Sequence, residues 1–165
     1  MKRFKNLYIN RLTNEYRNTE YFSRAAFLYM RWRKYLADDY STKNFVDMVE
    51  HISPFFWVIT DGGRTAGFVY LENVAGSAES LYKAEINICF ARDYWGAYIR
   101  ECAGLFLEYC FNVLGFRKLK ALIYPQNFRV KTLLKQTGFE QEGVLRAETL
   151  KDGKPQDVEV YARIT

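Results

Sequence analysis

Between Lys118 and Arg163 the chain alternates breakers with β-rich and helical runs in an order that few sheets accommodate. Lys118 to Tyr124 reads as a strand, and Pro125 ends it because proline has no N–H to give to a ladder. Gln126-Asn127 then opens a short helix, about Asn127 to Gln136, and Gly138 lets its end turn through left-handed backbone. Phe139 to Leu150 and Pro155 to Arg163 form a closing hairpin on Lys151-Asp152-Gly153-Lys154.

Upstream, Leu7 to Leu12 alternates as a first strand would, and Thr19 caps a helix in which Phe22, Ala25, Ala26 and Tyr29 recur at spacings of three and four toward Leu36. A second helix starts at the cap Ser41, carries Phe45, Met48, Val49 and Ile52 with His51 near its end, and stops at Ser53-Pro54. Phe55 to Thr60 and Thr65 to Asn73 pair across Asp61-Gly62-Gly63-Arg64. After the loop Ala75 to Ser80, the strand Leu81 to Ala91 sets Ile86, Ile88 and Phe90 on one face against Glu85, Asn87 and Cys89 on the other. A helix from Ile99 carries Ala103, Phe106, Cys110, Val113 and Leu114 on its apolar stripe and ends at Gly115. The order predicts an α+β fold, a mostly antiparallel mixed sheet flanked by helices, in a single domain over 1–165.

At 165 residues, 49% hydrophobic and 18% aromatic, the chain is long and apolar enough for a substantial core and is excluded from the disordered class. No apolar run approaches the roughly 20 residues of a membrane span, and no signal-peptide core follows Met1-Lys2-Arg3, so a cytoplasmic protein is expected. The net charge of +5 gathers at Arg31-Trp32-Arg33-Lys34 and at Arg117, Lys118, Lys120, Arg129, Lys131 and Lys135. That pattern suits solvated surface or a polyanionic ligand such as a coenzyme phosphate. Nucleic acid is not indicated, since no helix-turn-helix, zinc-finger or RRM signature accompanies the charge. Cys89, Cys102 and Cys110 lack CxxC spacing and His51 is the single histidine, so no metal site is expected and the thiols read as core.

Tyr124-Pro125-Gln126-Asn127, the run Leu133 to Phe139, Glu142-Gly143-Val144-Leu145-Arg146 and the final hairpin together resemble the GNAT superfamily of acetyl-coenzyme A dependent N-acetyltransferases. The resemblance is greatest to the branch with the ribosomal-protein-alanine acetyltransferases and covers roughly Lys83 to Ile164. It implies the acyl-CoA N-acyltransferase fold, acetyl-CoA as cofactor, and an amine-bearing substrate that is a protein N-terminus or a small molecule. A homodimer is compatible with it. The family's pyrophosphate loop reads Arg/Gln-x-x-Gly-x-Gly/Ala, and the stretch Ala91 to Glu101 is degenerate against it, about one residue short. One register places Gly96 at the first glycine with Tyr98 at the second small position; the other places Arg92 at the basic position and Ala97 at the small one, with Trp95 in place of glycine.

In either register the resemblance assigns the pyrophosphate to backbone N–H groups of Gly96, Ala97, Tyr98 and Ile99 at a helix start, supplemented by Arg92 or Arg100. It assigns the pantetheine amides to backbone near Ile88, Cys89 and Phe90, in a slot where that strand splays from Lys118 to Tyr124. Asn127 lies beside the pantetheine arm or serves as a helix cap, and Arg129 and Lys131 reach the phosphates. Amine attack on a thioester needs a proton acceptor, for which Glu85 is the candidate. The positions that hold the family's proton donor are Leu134 and Val130, so Tyr124 and Tyr98 are the nearest substitutes, with Tyr124 the candidate acid and solvent the remaining source. The basic chain does not suggest a polyamine acceptor. A catalytically inactive binding or structural protein on the same fold is the alternative, favoured if Trp95 or Tyr98 plugs the slot.

Overall fold

The computed structural model describes residues 2–6, 20–77 and 79–165. Among them lie seven strands in one sheet, β1 (Lys2–Asn6), β2 (Phe56–Asp61), β3 (Arg64–Gly76), β4 (Leu81–Phe90), β5 (Lys118–Ile123), β6 (Glu140–Lys151) and β7 (Lys154–Ile164), ordered β1-β2-β3-β4-β5-β7-β6. Four α-helices flank it: α1 (Glu20–Leu36), α2 (Phe45–Ile52), α3 (Ala97–Glu108) and α4 (Phe128–Gln136). Every neighbouring pair is antiparallel except β4 with β5. The expected strand Leu7 to Leu12 and the cap Thr19 lie outside the described residues.

Strand alternation divides the core into two layers. Val69, Leu71, Ala84 and Phe90 pack against α3 and α4 through Ile99, Phe106, Leu133 and Leu134. On the opposite face Phe56, Phe68, Tyr70 and Cys89 pack against α1 and α2 through Phe22, Tyr29, Phe45 and Val49. Phe45 is the hub of the second layer, with ring centroids 5.2 Å from Phe22, 5.4 Å from Tyr29 and 5.8 Å from Phe56.

Two boundaries differ from the sequence expectation for local reasons. The cap of α2 is Asn44, whose Oδ1 accepts from Val46 N–H at 2.9 Å, while Ser41 instead closes the preceding turn by donating to Asp38 Oδ1 at 2.8 Å. The helix expected to run from Ile99 to Gly115 starts two residues earlier at Ala97, and its last stretch, Tyr109–Val113, widens into a π turn before Gly115 reverses the chain at φ +78.

The feature that shapes the site is a fork. β4 and β5 pair in parallel only at Lys83↔Lys118, Ala84↔Leu119 and Glu85↔Lys120, whereas β4 stays paired with β3 as far as Phe90. Beyond Glu85 the two strands part, and β7 holds β5 on its far side through Ile123. α3 is the crossover between them.

Candidate active site

The fork leaves polar backbone in need of partners. Tyr82 C=O accepts from Arg117 N–H at 2.8 Å, so by alternation the even-numbered residues of β4 turn their N–H and C=O toward β5. Ile88 and Phe90 therefore present backbone groups to the open fork. Cys89 turns the other way: its carbonyl lies so near Gly67 that a Cβ there would stand 2.3 Å from it, and its Sγ contacts Leu28 O at 3.8 Å in the α1 layer. Burial pushes the Cys89 thiol up to about 12, which makes it a packing group and not a nucleophile.

Ile88, Cys89 and Phe90 on one side, Asn127 and Arg129 on the other, and Arg92 at the rim enclose a cleft of about 500 Å³. Trp32 of α1 lines it too, and the buried Trp32 Nε1–H has no acceptor among the described residues. Asn127 stands at the N-terminus of α4 yet makes no side-chain capping bond, so its amide is not consumed by the helix. Asn127 is thus the N-cap residue of α4 through its backbone, its carbonyl accepting from Lys131 N–H at 3.2 Å, while its side chain takes no part in the cap.

The short loop is a 3₁₀ turn, Arg92–Tyr94, followed by Trp95 and by Gly96 as the residue preceding α3. Gly96 sits at φ +103, ψ −130, a conformation that only glycine adopts readily, and a Cβ there would meet nothing within 4 Å. The helical ladder opens with Arg100 N–H on Gly96 O at 3.3 Å, so the N–H groups of Gly96, Ala97, Tyr98 and Ile99 lie ahead of it at the positive end of the helix dipole. The first turn of α3 carries no acidic side chain that would repel an anion.

Neither bulky residue of the loop plugs the cleft. Tyr98 packs its ring against Tyr94 at 4.9 Å and Phe90 at 6.4 Å, and burial pushes its phenol well above the usual range. Trp95 forms a wall, with the Arg129 guanidinium 5.9 Å from its ring centroid. Lys131 is drawn off elsewhere, to Glu159 at 3.1 Å, where both side chains are largely buried.

The other opening of the fork faces α1 and α2 and is polar. Glu72, Glu85 and Asn87 lie together there on β3 and β4, with Lys120, Leu122 and Tyr124 at or just beyond β5. Glu85 stands at the closed end, where Lys120 Nζ lies 3.1 Å from Oε1 and Asn73 Nδ2 donates to Oε2 at 2.8 Å. Asn73 reaches it because a bulge with Asn73 at φ +50 re-aims β3. Tyr124 donates its hydroxyl proton to Ala37 O at 3.1 Å, and burial, with Asp38 and Asp39 adding, pushes the phenol up to about 12. Leu134 and Val130, the residues standing where the family places its proton donor, are both buried in the α4 layer.

The structure thus gathers Ile88, Cys89, Phe90, Arg92, Asn127 and Arg129 around one cleft beside the Gly96–Ile99 turn, and leaves Lys131 and Tyr124 engaged elsewhere. It also brings forward Glu72, which the sequence reading passed over. Phe68, Tyr70 and Glu72 share one face of β3, so a carboxylate continuing an aromatic stripe was the available signal.

Comparison with known proteins agrees with this geometry. Over 86 residues, 52% of this chain and 49% of the relative, the chain is 30% identical to the uncharacterized N-acetyltransferase YoaA of Bacillus subtilis, so the match spans about half of that curated protein's length. In three dimensions it resembles a spermidine N-acetyltransferase from Vibrio cholerae solved with CoA and spermine, at TM-score 0.73, 21% identity and coverage of 99% of this chain and 95% of that one. It also resembles RimJ of Mycobacterium smegmatis solved with CoA-disulfide, at TM-score 0.70 and 19% identity over 87% of this chain and 75% of the other. At such identities these two likenesses establish the fold. With residues 6–140 matching the acetyltransferase (GNAT) domain family, the chain belongs to that family.

Proposed function

We propose that this protein transfers the acetyl group of acetyl-coenzyme A to a primary amine, on a protein N-terminus or on a small molecule. The observation that carries the reading is the fork between β4 and β5, which opens on one side into the 500 Å³ cleft and on the other onto a polar face. A thioester threaded through such a fork meets its acceptor from the opposite side of the sheet. The Gly96–Ile99 turn with Arg92 and Arg129 suits the pyrophosphate, and the backbone of Ile88 and Phe90 with the Asn127 amide suits the pantetheine arm. The unmatched Trp32 Nε1–H is a further donor on the same wall.

Bound there, acetyl-coenzyme A supplies an acetyl thioester whose carbonyl carbon accepts the amine nitrogen. The chain's task is to orient the amine and to take its proton on the carboxylate pair Glu72 and Glu85. Tyr124 keeps its proton on Ala37 O and fastens the end of α1 to β5, so solvent protonates the departing thiolate. The net charge of +5 is a poor guide to the acceptor, because the polar face itself carries Glu72 and Glu85, with Asp38 and Asp39 close by. A cationic amine is attracted locally.

Calorimetric titration with acetyl-coenzyme A, followed by an acetylation assay over a panel of amines and N-terminal peptides, tests the reading. Saturable binding and release of free coenzyme A thiol are expected. A wild-type chain that neither binds the coenzyme nor acetylates any amine returns the protein to the binding or structural alternative.

A further inference from the structure

Glu72 and Glu85 are cross-strand partners on β3 and β4 but stand in opposite electrostatic conditions. Both oxygens of Glu85 are occupied, one by the Lys120 ammonium and one by the Asn73 amide. Glu72 has no cation partner among the described residues, and its Oε1 accepts from Asn87 Nδ2 at 2.7 Å. A carboxylate can only accept, so it fixes the orientation of the Asn87 amide, with the NH₂ toward Glu72 and Oδ1 turned away. Asn87 lines the cavity at the fork, on the strand next to β5. A half-buried anion that makes no ion pair among the described residues is costly, and an ammonium arriving from outside offsets that cost.

We infer that Glu72, and not Glu85, receives the proton of the acceptor amine, with the Asn87 amide oxygen holding that amine at the fork. The assignment rests on the acetyl-transfer reading and sharpens it, since it makes the acceptor a protonated primary amine carried into the fork by a carboxylate. One N–H bond of R–NH₃⁺ breaks and the proton passes to Glu72, leaving neutral R–NH₂ and a carboxylic acid. The nitrogen lone pair forms the C–N bond as the C–S bond breaks, its electron pair leaving with sulfur. A second amine proton neutralises the thiolate through solvent, and Glu72 returns its own proton to water. Atoms and charge balance with no further reactant.

The surroundings of Glu72 suit a proton acceptor. Burial raises its pKa above the ordinary carboxylate range, Glu85 and Asp38 add to this, and the Asn87 hydrogen bond and His51 oppose it. A carboxylate so raised takes a proton more readily at neutral pH, while both oxygens of Glu85 are already engaged by Lys120 and Asn73. Among the described residues the groups facing Glu72 are Asp38 after α1, His51 on α2, Glu85 on β4 and the phenols of Tyr29 and Tyr70.

Glu72→Gln, Glu85→Gln and Asn87→Ala are to be compared by kcat/KM against pH, using an alanine-terminated tripeptide and a linear diamine as probe acceptors, with acetyl-coenzyme A affinity measured by calorimetry. Glu72→Gln is expected to lower kcat/KM about 10²–10⁴-fold at neutral pH with coenzyme affinity unchanged, to lose the acidic limb, and to recover as rising pH frees the amine by itself. Asn87→Ala should raise KM for the amine and keep the limb. Wild-type rates and an intact limb in Glu72→Gln, or a limb lost only in Glu85→Gln, overturn the assignment while leaving acetyl transfer standing. A wild type that neither binds acetyl-coenzyme A nor acetylates either probe overturns both.

Discussion

Gly96→Ala isolates the contribution of loop shape, because a Cβ at this position meets nothing within 4 Å and collision plays no part. The cost is conformational: φ +103 with ψ −130 is a region that an L residue occupies only under strain, at about 1–3 kcal/mol. That energy has two outlets. If packing of α3 holds the loop in place, the folded state loses the full amount, which for a domain of this size is roughly 2–4 °C in Tm per kcal/mol. If the loop instead relaxes, the N–H groups of Gly96 to Ile99 leave their common direction and the fraction of binding-competent chain falls. The same energy then weakens apparent acetyl-coenzyme A affinity roughly 5–150-fold. Thermal melts with and without coenzyme, combined with calorimetric titration, separate the two outlets. Gly62→Ala is the control, since Gly62 at φ +54 in the β2–β3 turn is equally unobstructed but remote from the cleft, so it should leave coenzyme affinity alone. If Gly96→Ala changes neither Tm nor affinity, the loop assignment fails.

Asp39→Ala should cost about 1–3 kcal/mol in chemical denaturation, because Asp39 accepts the backbone N–H groups of Asp152 and Gly153 at 2.9 and 2.8 Å and so ties the end of α1 to the β6–β7 turn. Arg129→Ala should weaken acetyl-coenzyme A binding about tenfold and flatten its salt dependence, since the guanidinium over Trp95 is a charge on the cleft wall. At Asp38, burial raises the pKa but hydrogen bonds from Thr149, Ser41 and Tyr40 outweigh it, and the net shift is downward. A depressed folded-state pKa stabilises above the unfolded value near 4 and loses that stabilisation as pH falls through the folded value, so Asp38→Asn should shallow the acid side of a Tm-versus-pH curve below about pH 4.

Much of the fold was legible because its signals are local. Asp61-Gly62-Gly63-Arg64 turns β2 into β3, with Gly62 and Gly63 at positive φ, and Pro125 and Gly138 bracket α4 where the sequence places them. The alternation of Ile86, Ile88 and Phe90 against Glu85, Asn87 and Cys89 survives as the division between two core layers. Misplaced boundaries fell where two local solutions compete. Ser41 and Asn44 are both good cap residues, and only the fold of the preceding turn, in which Ser41 Oγ bonds with Asp38, decides that Asn44 caps α2. The π turn at Tyr109–Val113 has no counterpart in the apolar spacing, which continues smoothly through it.

The proposed site was legible only on the side of the cleft. Backbone amides at a helix start are fixed by where the strand stops and the helix begins, so Gly96 to Ile99 and Ile88 to Phe90 could be named from secondary structure alone, whereas the backbone of Cys89 faces β3 because even-numbered residues of β4 point to the fork. The polar face depends on which charges find partners across strands, and that is a tertiary fact. Lys120 is 35 positions from Glu85 in sequence, and Asn87 is 15 from Glu72. Nothing in the linear order says that the first carboxylate is neutralised and the second is not. Once Lys120 is bound to Glu85, the two form a half-buried ion pair with little net field, and Glu72 is a carboxylate of this face that makes no ion pair among the described residues. Such a carboxylate, level with the closed end of the fork, disposes this face to take up a cation, and in a chain of net charge +5 that attraction is confined to its immediate surroundings.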